Sequence, residues 1–275
     1  MSWCVCFWYV FGISTFLTIP PELAAGILSC GGQDVRLFVL DGVLHAVAAV
    51  GLGPLGAHTP IRQAVVRIEA GVITQAWLQP GDSLEKNWMP CVDGDRLRLV
   101  YSAAPLIVLD YDIETHLVRQ DVNAASAASK GSIQRGGSQL VPYKAGWLAV
   151  VHQLHFAGGK KVYAHSFVFF DRGLTSAKFS RAFYFNRGDG IEFCAGLAHF
   201  QDRWIVSYGV GDNEAWLAEI EPETVEAFLS GAAPVSQAVG ASRITAPGHA
   251  PLAAGPVVVP SKSLSSYLNG FGFWG

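Results

Sequence analysis

Four short polar clusters interrupt an otherwise apolar chain, and each carries residue types that can handle protons, hydroxyls or anions. Asp34 stands two residues from Arg36, so strand alternation puts both side chains on one face, and Lys86 and Asn87 precede Trp88. Arg135 leads into Gly136-Gly137-Ser138, with His152 further on, and Glu192 is followed by Asp212. A carboxyl group serves as a general acid only if its surroundings keep it protonated until needed, so an arginine beside Asp34 would help only by pointing at substrate. The plainer alternative is an Asp34–Arg36 pair that ties structural units together. Lys86 and Asn87 beside an indole can hold hydroxyl groups and stack on a ring face. The competing arrangement pairs Glu85 with Lys86 and buries Trp88. His152 suits an anion at near-neutral pH, with Arg135 as a second positive charge, or it is a buried imidazole bonded to backbone. Asp212 can accept hydrogen bonds from two hydroxyls or act as a base toward water, whereas Glu192 has Arg135 or Arg187 as structural partners. His165 and Glu214 are outlying supports.

These clusters recur with a period. The turn positions Gly42, Gly94, Gly146 and Asp202 follow one another at steps of 52, 52 and 56 residues, the length of a propeller blade. In each unit a polar anchor (Asp34, Lys86, Ser138, Cys194) precedes the turn by 8 residues. Equivalent positions in successive blades face one mouth of a propeller, so the clusters are expected to converge. The intervening sequence agrees: from Asp34 to Ile220 it runs as short alternating strands rich in Val, Leu, Phe, Tyr and Trp, bounded by Gly, Asp and Pro. Ala70-Gly71 reads as a hairpin turn, and Glu221 to Gly231 as the one short helix.

The 275 residues are 51% hydrophobic, enough for one large core, with propeller boundaries expected at residues 32–230. A formal net charge of −3, with no basic stripe, argues against nucleic acid and anionic membranes as partners. No His, Asp or Glu set has metal-ligand spacing, so no metal is expected. Cys4, Cys6, Cys30, Cys91 and Cys194 are an odd set without zinc-like pairing and read as free thiols, which favours a reducing, cytoplasmic setting. Residues 1–31 are apolar, and the first basic residue is Arg36, too late for a signal peptide. The run from Trp3 to Ile19 ends at Pro20-Pro21, at or just under the length of a membrane span. It is read as a degenerate first blade or a miscalled start, with a membrane or export role as the alternative. Residues 231–275, rich in Ala, Pro and Gly, read as linker and tail.

The motifs Asp34-Val35-Arg36-Leu37-Phe38, Glu85-Lys86-Asn87-Trp88-Met89-Pro90, Gly136-Gly137-Ser138 with Val151-His152, and Ser207-Tyr208-Gly209 through Ala215 resemble, in order and spacing, those of glycoside hydrolase family 130. More narrowly, they are similar to a bacterial branch found with glycosyltransferases. The resemblance covers residues 32–220. It implies an all-β, five-bladed propeller of the glycosidase type, here with an incomplete first blade, that cleaves β-mannosides or related glycosides with inversion. Asp34 would be the general acid, and Arg36, Lys86, Asn87, Trp88, Ser138, Glu192 and Asp212 would bind substrate. Arg135 and His152 would hold inorganic phosphate where it is a co-substrate, and no other cofactor is implied. The sequence departs from the family's Glu-Asp-Pro-Arg motif at Gln33 and Val35, and it offers no match for a further phosphate-binding arginine. Both departures favour the alternative of a non-catalytic glycan-binding propeller that accompanies a glycosyltransferase, its partner then being an oligosaccharide or polysaccharide.

Overall fold

The structure, a computed structural model, describes residues 4–10, 13–19, 32–51, 61–79, 85–120, 134–185, 190–211, 214–231 and 241–244. Its strands fall into separate sheets. The first holds β1 (Cys4–Val10), β2 (Ile13–Ile19), β3 (Gly32–Leu40), β4 (Val43–Gly51), β5 (Ile61–Glu69) and β6 (Val72–Leu78), in the order β1-β2-β6-β5-β4-β3. The second runs β10-β9-β8-β7, from β7 (Met89–Asp93), β8 (Arg96–Ala103), β9 (Leu106–Asp112) and β10 (Leu117–Gln120). In the third, the short β11 (Arg135–Gly136) and β12 (Val141–Tyr143) both pair with β13 (Gly146–Ala157), followed by β14 (Lys160–Asp171) and β15 (Ala177–Phe179). The fourth is β16 (Glu192–Phe200), β17 (Arg203–Val210), β18 (Glu214–Ile220) and β19 (Ala241–Ile244).

This is an all-β, propeller-like arrangement with one helix, and four blades rather than five stand among the described residues. The first strands of the blades gather together: β3 lies against β7 and β16, and β12 against β16. Alternation in the strands then builds cores between blades. Phe38, Val47 and Val65 of the first meet Trp88, Leu97 and Leu99 of the second. Met89, Cys91 and Val100 meet Trp147, Ala149 and Val168, and Leu148, Val150 and Phe167 meet Leu197, Trp204 and Val206. A further cluster of Val35, Ala46, Ala48, Val50, Ala64 and Val66 is buried on the other face of the first sheet, with no residue from another sheet among those described.

The expected hairpin at Ala70-Gly71 is present, with φ of 49° and 78°, the twist that favours tight two-residue turns. The helix α1 (Pro222–Ser230) starts at proline and is capped by Gly231 at φ 78°. Two boundaries differ from expectation. The turn of the third blade is Lys144-Ala145, and Gly146 opens β13 instead; an added Cβ there would stand 2.1 Å from the Phe170 carbonyl oxygen, so close approach of chains explains the glycine. The stretch read as linker contributes β19, which pairs with β18 and completes the fourth blade. The apolar amino-terminal stretch forms a β1–β2 hairpin attached to the first sheet through Thr18↔Val72. No described helix is long and apolar enough to cross a membrane.

Candidate functional site

The starts of the four first strands come together around one side chain, Arg36, which is wholly buried. Its Nε donates to the Gly137 carbonyl at 2.7 Å. Nη2 donates to Asn87 Oδ1 at 3.0 Å and to the Gly136 carbonyl at 3.3 Å. Nη1 donates to the main-chain carbonyl of Asp34, and the guanidinium lies 5.3 Å from the centre of the Phe193 ring. One cation therefore touches all four described blades. Burial lowers its pKa from the ordinary value, while the nearby Asp34 charge acts in the opposite direction.

Asp34 does not sit in a regular strand. The β3–β4 register shifts between Gln33 and Arg36, so an extra residue is accommodated there, and Asp34 has φ 57°. A bulge re-aims side chains, which breaks the simple alternation expected to put Asp34 and Arg36 on one face. What joins the two residues is the Asp34 main-chain carbonyl. The Asp34 side chain is half-buried and has no hydrogen-bond or ion-pair partner among the described residues.

The remaining candidates divide into those facing the mouth and those absorbed by the fold. Asn87 is buried, left-handed at φ 67°, and spends its side-chain oxygen on Arg36. Trp88 is 2% exposed and donates to Glu85 Oε2 at 3.3 Å, so its ring faces belong to the core and offer no stacking platform. Ser138 is fully buried; its hydroxyl accepts from the Val150 amide and donates to the Gln139 carbonyl. Glu192 is 1% exposed and accepts from the Phe185 amide at 2.6 Å. Lys86 is half-buried, with no partner among the described residues, and Arg135 is exposed. Asp212 lies outside the described residues, as do Cys30 and the side chains of Cys4 and Cys6. Cys91 and Cys194 are free, buried thiols, each pushed up to about 12 by burial.

His152 and His165 were not legible as a pair, yet they face each other across β13 and β14, with ring centres 6.4 Å apart. His152 is pushed down to about 3, first by burial and then by Arg36 and Arg135. His165 falls well below its ordinary value through burial, reinforced by His152. Both are neutral near pH 7, so His152 adds no positive charge toward a phosphate. His152 Nδ1 has no hydrogen-bond partner among the described residues, and the Glu192 main chain acts on His165 against the effect of burial. The signal available in sequence was the 152/165 register across the Gly158-Gly159 turn, which needs the strand lengths before it can be read. No group of three potential metal ligands occurs among the described residues.

No known protein family's model matches the chain, and no curated protein matches it. Solved structures do. A β-1,2-mannobiose phosphorylase from Listeria innocua is 14% identical with a TM-score of 0.53, over 73% of this chain and 61% of that one. A putative glycosidase from Bacteroides thetaiotaomicron is 13% identical with a TM-score of 0.52, over 76% of this chain and 73% of that one. A GDP-Man-dependent mannosyltransferase from Leishmania mexicana is 10% identical with a TM-score of 0.52, over 69% of this chain and 68% of that one. This chain thus spans about three-fifths of the Listeria enzyme's length. The class defined by these likenesses is the propeller fold of the glycosidases. Within that class the fold is like that of family 130, the mannoside phosphorylases and hydrolases.

Proposed function

We propose that the protein acts on a β-mannoside-like or related glycan at the mouth where its blades converge, cleaving the glycosidic bond with inversion and using Asp34 as general acid. The observation that carries this reading is the convergence itself: Asp34, Asn87, Gly136, Gly137 and Phe193, from four blades, are gathered at one guanidinium. The half-buried Asp34 carboxyl, without a protein partner among the described residues, is the group there best able to give a proton to a leaving oxygen. Lys86 and Arg135 would contact substrate hydroxyls or an attacking anion, and Asp212, outside the described residues, would bind two sugar hydroxyls or act as a base toward water. Water is the favoured attacking group. Arg36 is committed to protein acceptors and His152 is neutral, which leaves few cations for phosphate.

A fifth blade completes the ring in this proposal. The second reading is a glycan-binding propeller without turnover, partnered by a glycosyltransferase. Gln33 in place of the family's glutamate favours it, because the charge that would help orient an acid is missing.

The test is product release from a panel of β-mannosides and related oligosaccharides, with and without phosphate, for the native protein and Asp34→Asn. Phosphate-independent product that disappears in Asp34→Asn is the expected result. Glycan retention on an affinity gel without any product moves the conclusion to the second reading, and neither retention nor product overturns both.

A further inference from the structure

Of the described non-glycine residues with positive φ, most occupy turns: Asp41, Ala70, His116, Lys144 and Gln201 in hairpins, and Leu174 in the loop between β14 and β15. Asp34 and Asn87 are different. Asp34, at φ 57°, lies within a strand, and Asn87, at φ 67°, lies just ahead of one. A left-handed conformation is unfavourable for residues with a Cβ and persists only where surrounding contacts impose it. Both exceptions are held by the same group, since Arg36 Nη1 donates to the Asp34 carbonyl and Nη2 to Asn87 Oδ1.

The guanidinium is itself fixed from the third blade. Nε and Nη2 bond the carbonyls of Gly137 and Gly136. Gly136 lies so close to the second blade that an added Cβ would stand 2.0 Å from the Asn87 carbonyl oxygen. Four donor contacts from a rigid planar fork leave Arg36 little freedom, and a lysine could not reproduce that pattern.

We propose that Arg36 is a positioning residue: its buried fork, braced on Gly136 and Gly137, locks Asp34 into the left-handed bulge that presents its carboxylate at the mouth, with Asn87 locked by the same fork. Arg36 acts through Asp34 and does not touch substrate; contrary to the expectation that it could help only by pointing at substrate, its guanidinium is spent on protein acceptors and makes no ion pair with the Asp34 carboxyl, so it can position that carboxyl without pairing with it. This corrects the substrate-binding role expected for Arg36 from sequence, because a wholly buried side chain has no surface to offer a sugar. The proposal rests on the reading of Asp34 as the acid, but its geometric part can be tested without turnover.

Nuclear magnetic resonance of the full chain, labelled with 15N and 13C, is the experiment. In the native protein the Arg36 Nε–H is expected to exchange slowly with water, and the Asp34 Cα and Cβ shifts are expected to show left-handed backbone. Arg36→Met and Arg36→Lys are each expected to shift Asp34 toward extended backbone. If a glycan is turned over, kcat should fall about a hundredfold in both variants while KM changes little, as expected for a displaced reacting group. A purely structural arginine would leave the Asp34 shifts and kcat of the folded variants in place, and that outcome overturns the proposal. Where neither variant folds, the native protein decides: a fast-exchanging Arg36 Nε–H or an extended Asp34 contradicts it. Absence of turnover in the native protein would defeat the reading of Asp34 as acid and leave the backbone measurements still decisive for Arg36.

Discussion

Among the described residues two arginines are buried, Arg36 at the mouth and Arg98 near the β7–β8 turn at the other, closed end of the strands, and they are compensated differently. At the closed end, Arg98 of β8 donates to the carbonyls of Gly173 at 2.8 Å and Arg172 at 3.1 Å, and the Asp93 carboxylate stands 3.9 Å away. At the mouth, Arg36 likewise bonds main-chain carbonyls, but its side-chain partner is the amide oxygen of Asn87 rather than a carboxylate. The Asp34 carboxylate is near enough to influence Arg36 electrostatically without forming an ion pair. The closed end sets its cation beside a carboxylate that it shares with Arg172, whereas the mouth holds a cation and a carboxyl near each other without joining them. That difference separates a device for stability from one that leaves a carboxyl available.

The sharpest way to break the comparison is to remove each cation. Arg36→Met should lower unfolding free energy by about 3 kcal/mol or more, because it strands several buried acceptors. Arg98→Met, whose acceptors are only partly buried, should cost about 1–2 kcal/mol and leave any glycan turnover unchanged. Urea unfolding of both variants checks the order, and equal losses would remove the distinction.

Acid should also strike the mouth. The folded pKa of His152, about 3, lies below the ordinary value of 6.5, so the unfolded chain takes up the proton first as pH falls. The contribution is intact above about pH 6.5, is lost progressively toward pH 3 and levels off below it. The expected loss is on the order of 5 kcal/mol. His165 adds a loss of the same sign. Replacing it with phenylalanine should flatten the acid slope of the denaturation midpoint, and an unchanged slope would count against the buried pair.

Close approach supplies the next effect. Gly136→Ala would drive a Cβ to 2.0 Å from the Asn87 carbonyl oxygen and 2.5 Å from Met89 Cγ, and should cost about 1–3 kcal/mol by overpacking. The smallest effect has the opposite sign. Asp34→Gly relieves the left-handed backbone and should raise stability by up to about 1 kcal/mol while abolishing glycan turnover. Thermal unfolding beside the product assay shows whether Asp34 is retained at a cost in stability.

The two ends of the strands also differ in how well they could be read. At the closed end, period-two alternation and turn residues such as Asp41-Gly42 and Ala70-Gly71 are local signals, and they located most of the strands and hairpins, the third turn falling at Lys144-Ala145 just before the expected Gly146. At the mouth, structure depends on contacts between residues about fifty and a hundred positions apart, such as Arg36 with Asn87 and Gly137. The Gly136-Gly137 and Asp34-Val35-Arg36 motifs meet at one guanidinium, but the motifs did not disclose those contacts. Alternation assigned Asp34 and Arg36 to one face because it carries no information about a bulge. Trp88 looked like a ring platform because residue type alone does not report the neighbours that bury it. The helix was legible from Pro222 and Gly231, whereas β19 was hidden by its Ala- and Ser-rich composition.

The most direct test of the account is to map where a glycan binds, by titrating β-1,2-mannobiose and related β-mannosides into 15N-labelled protein and following amide shifts. The account predicts perturbations at the mouth, at Asp34, Lys86 and Arg135, with the closed-end turns at Asp41, Gly94 and Gln201 unmoved. Shifts confined to the closed end, or none at the mouth with any sugar of the panel, would contradict it.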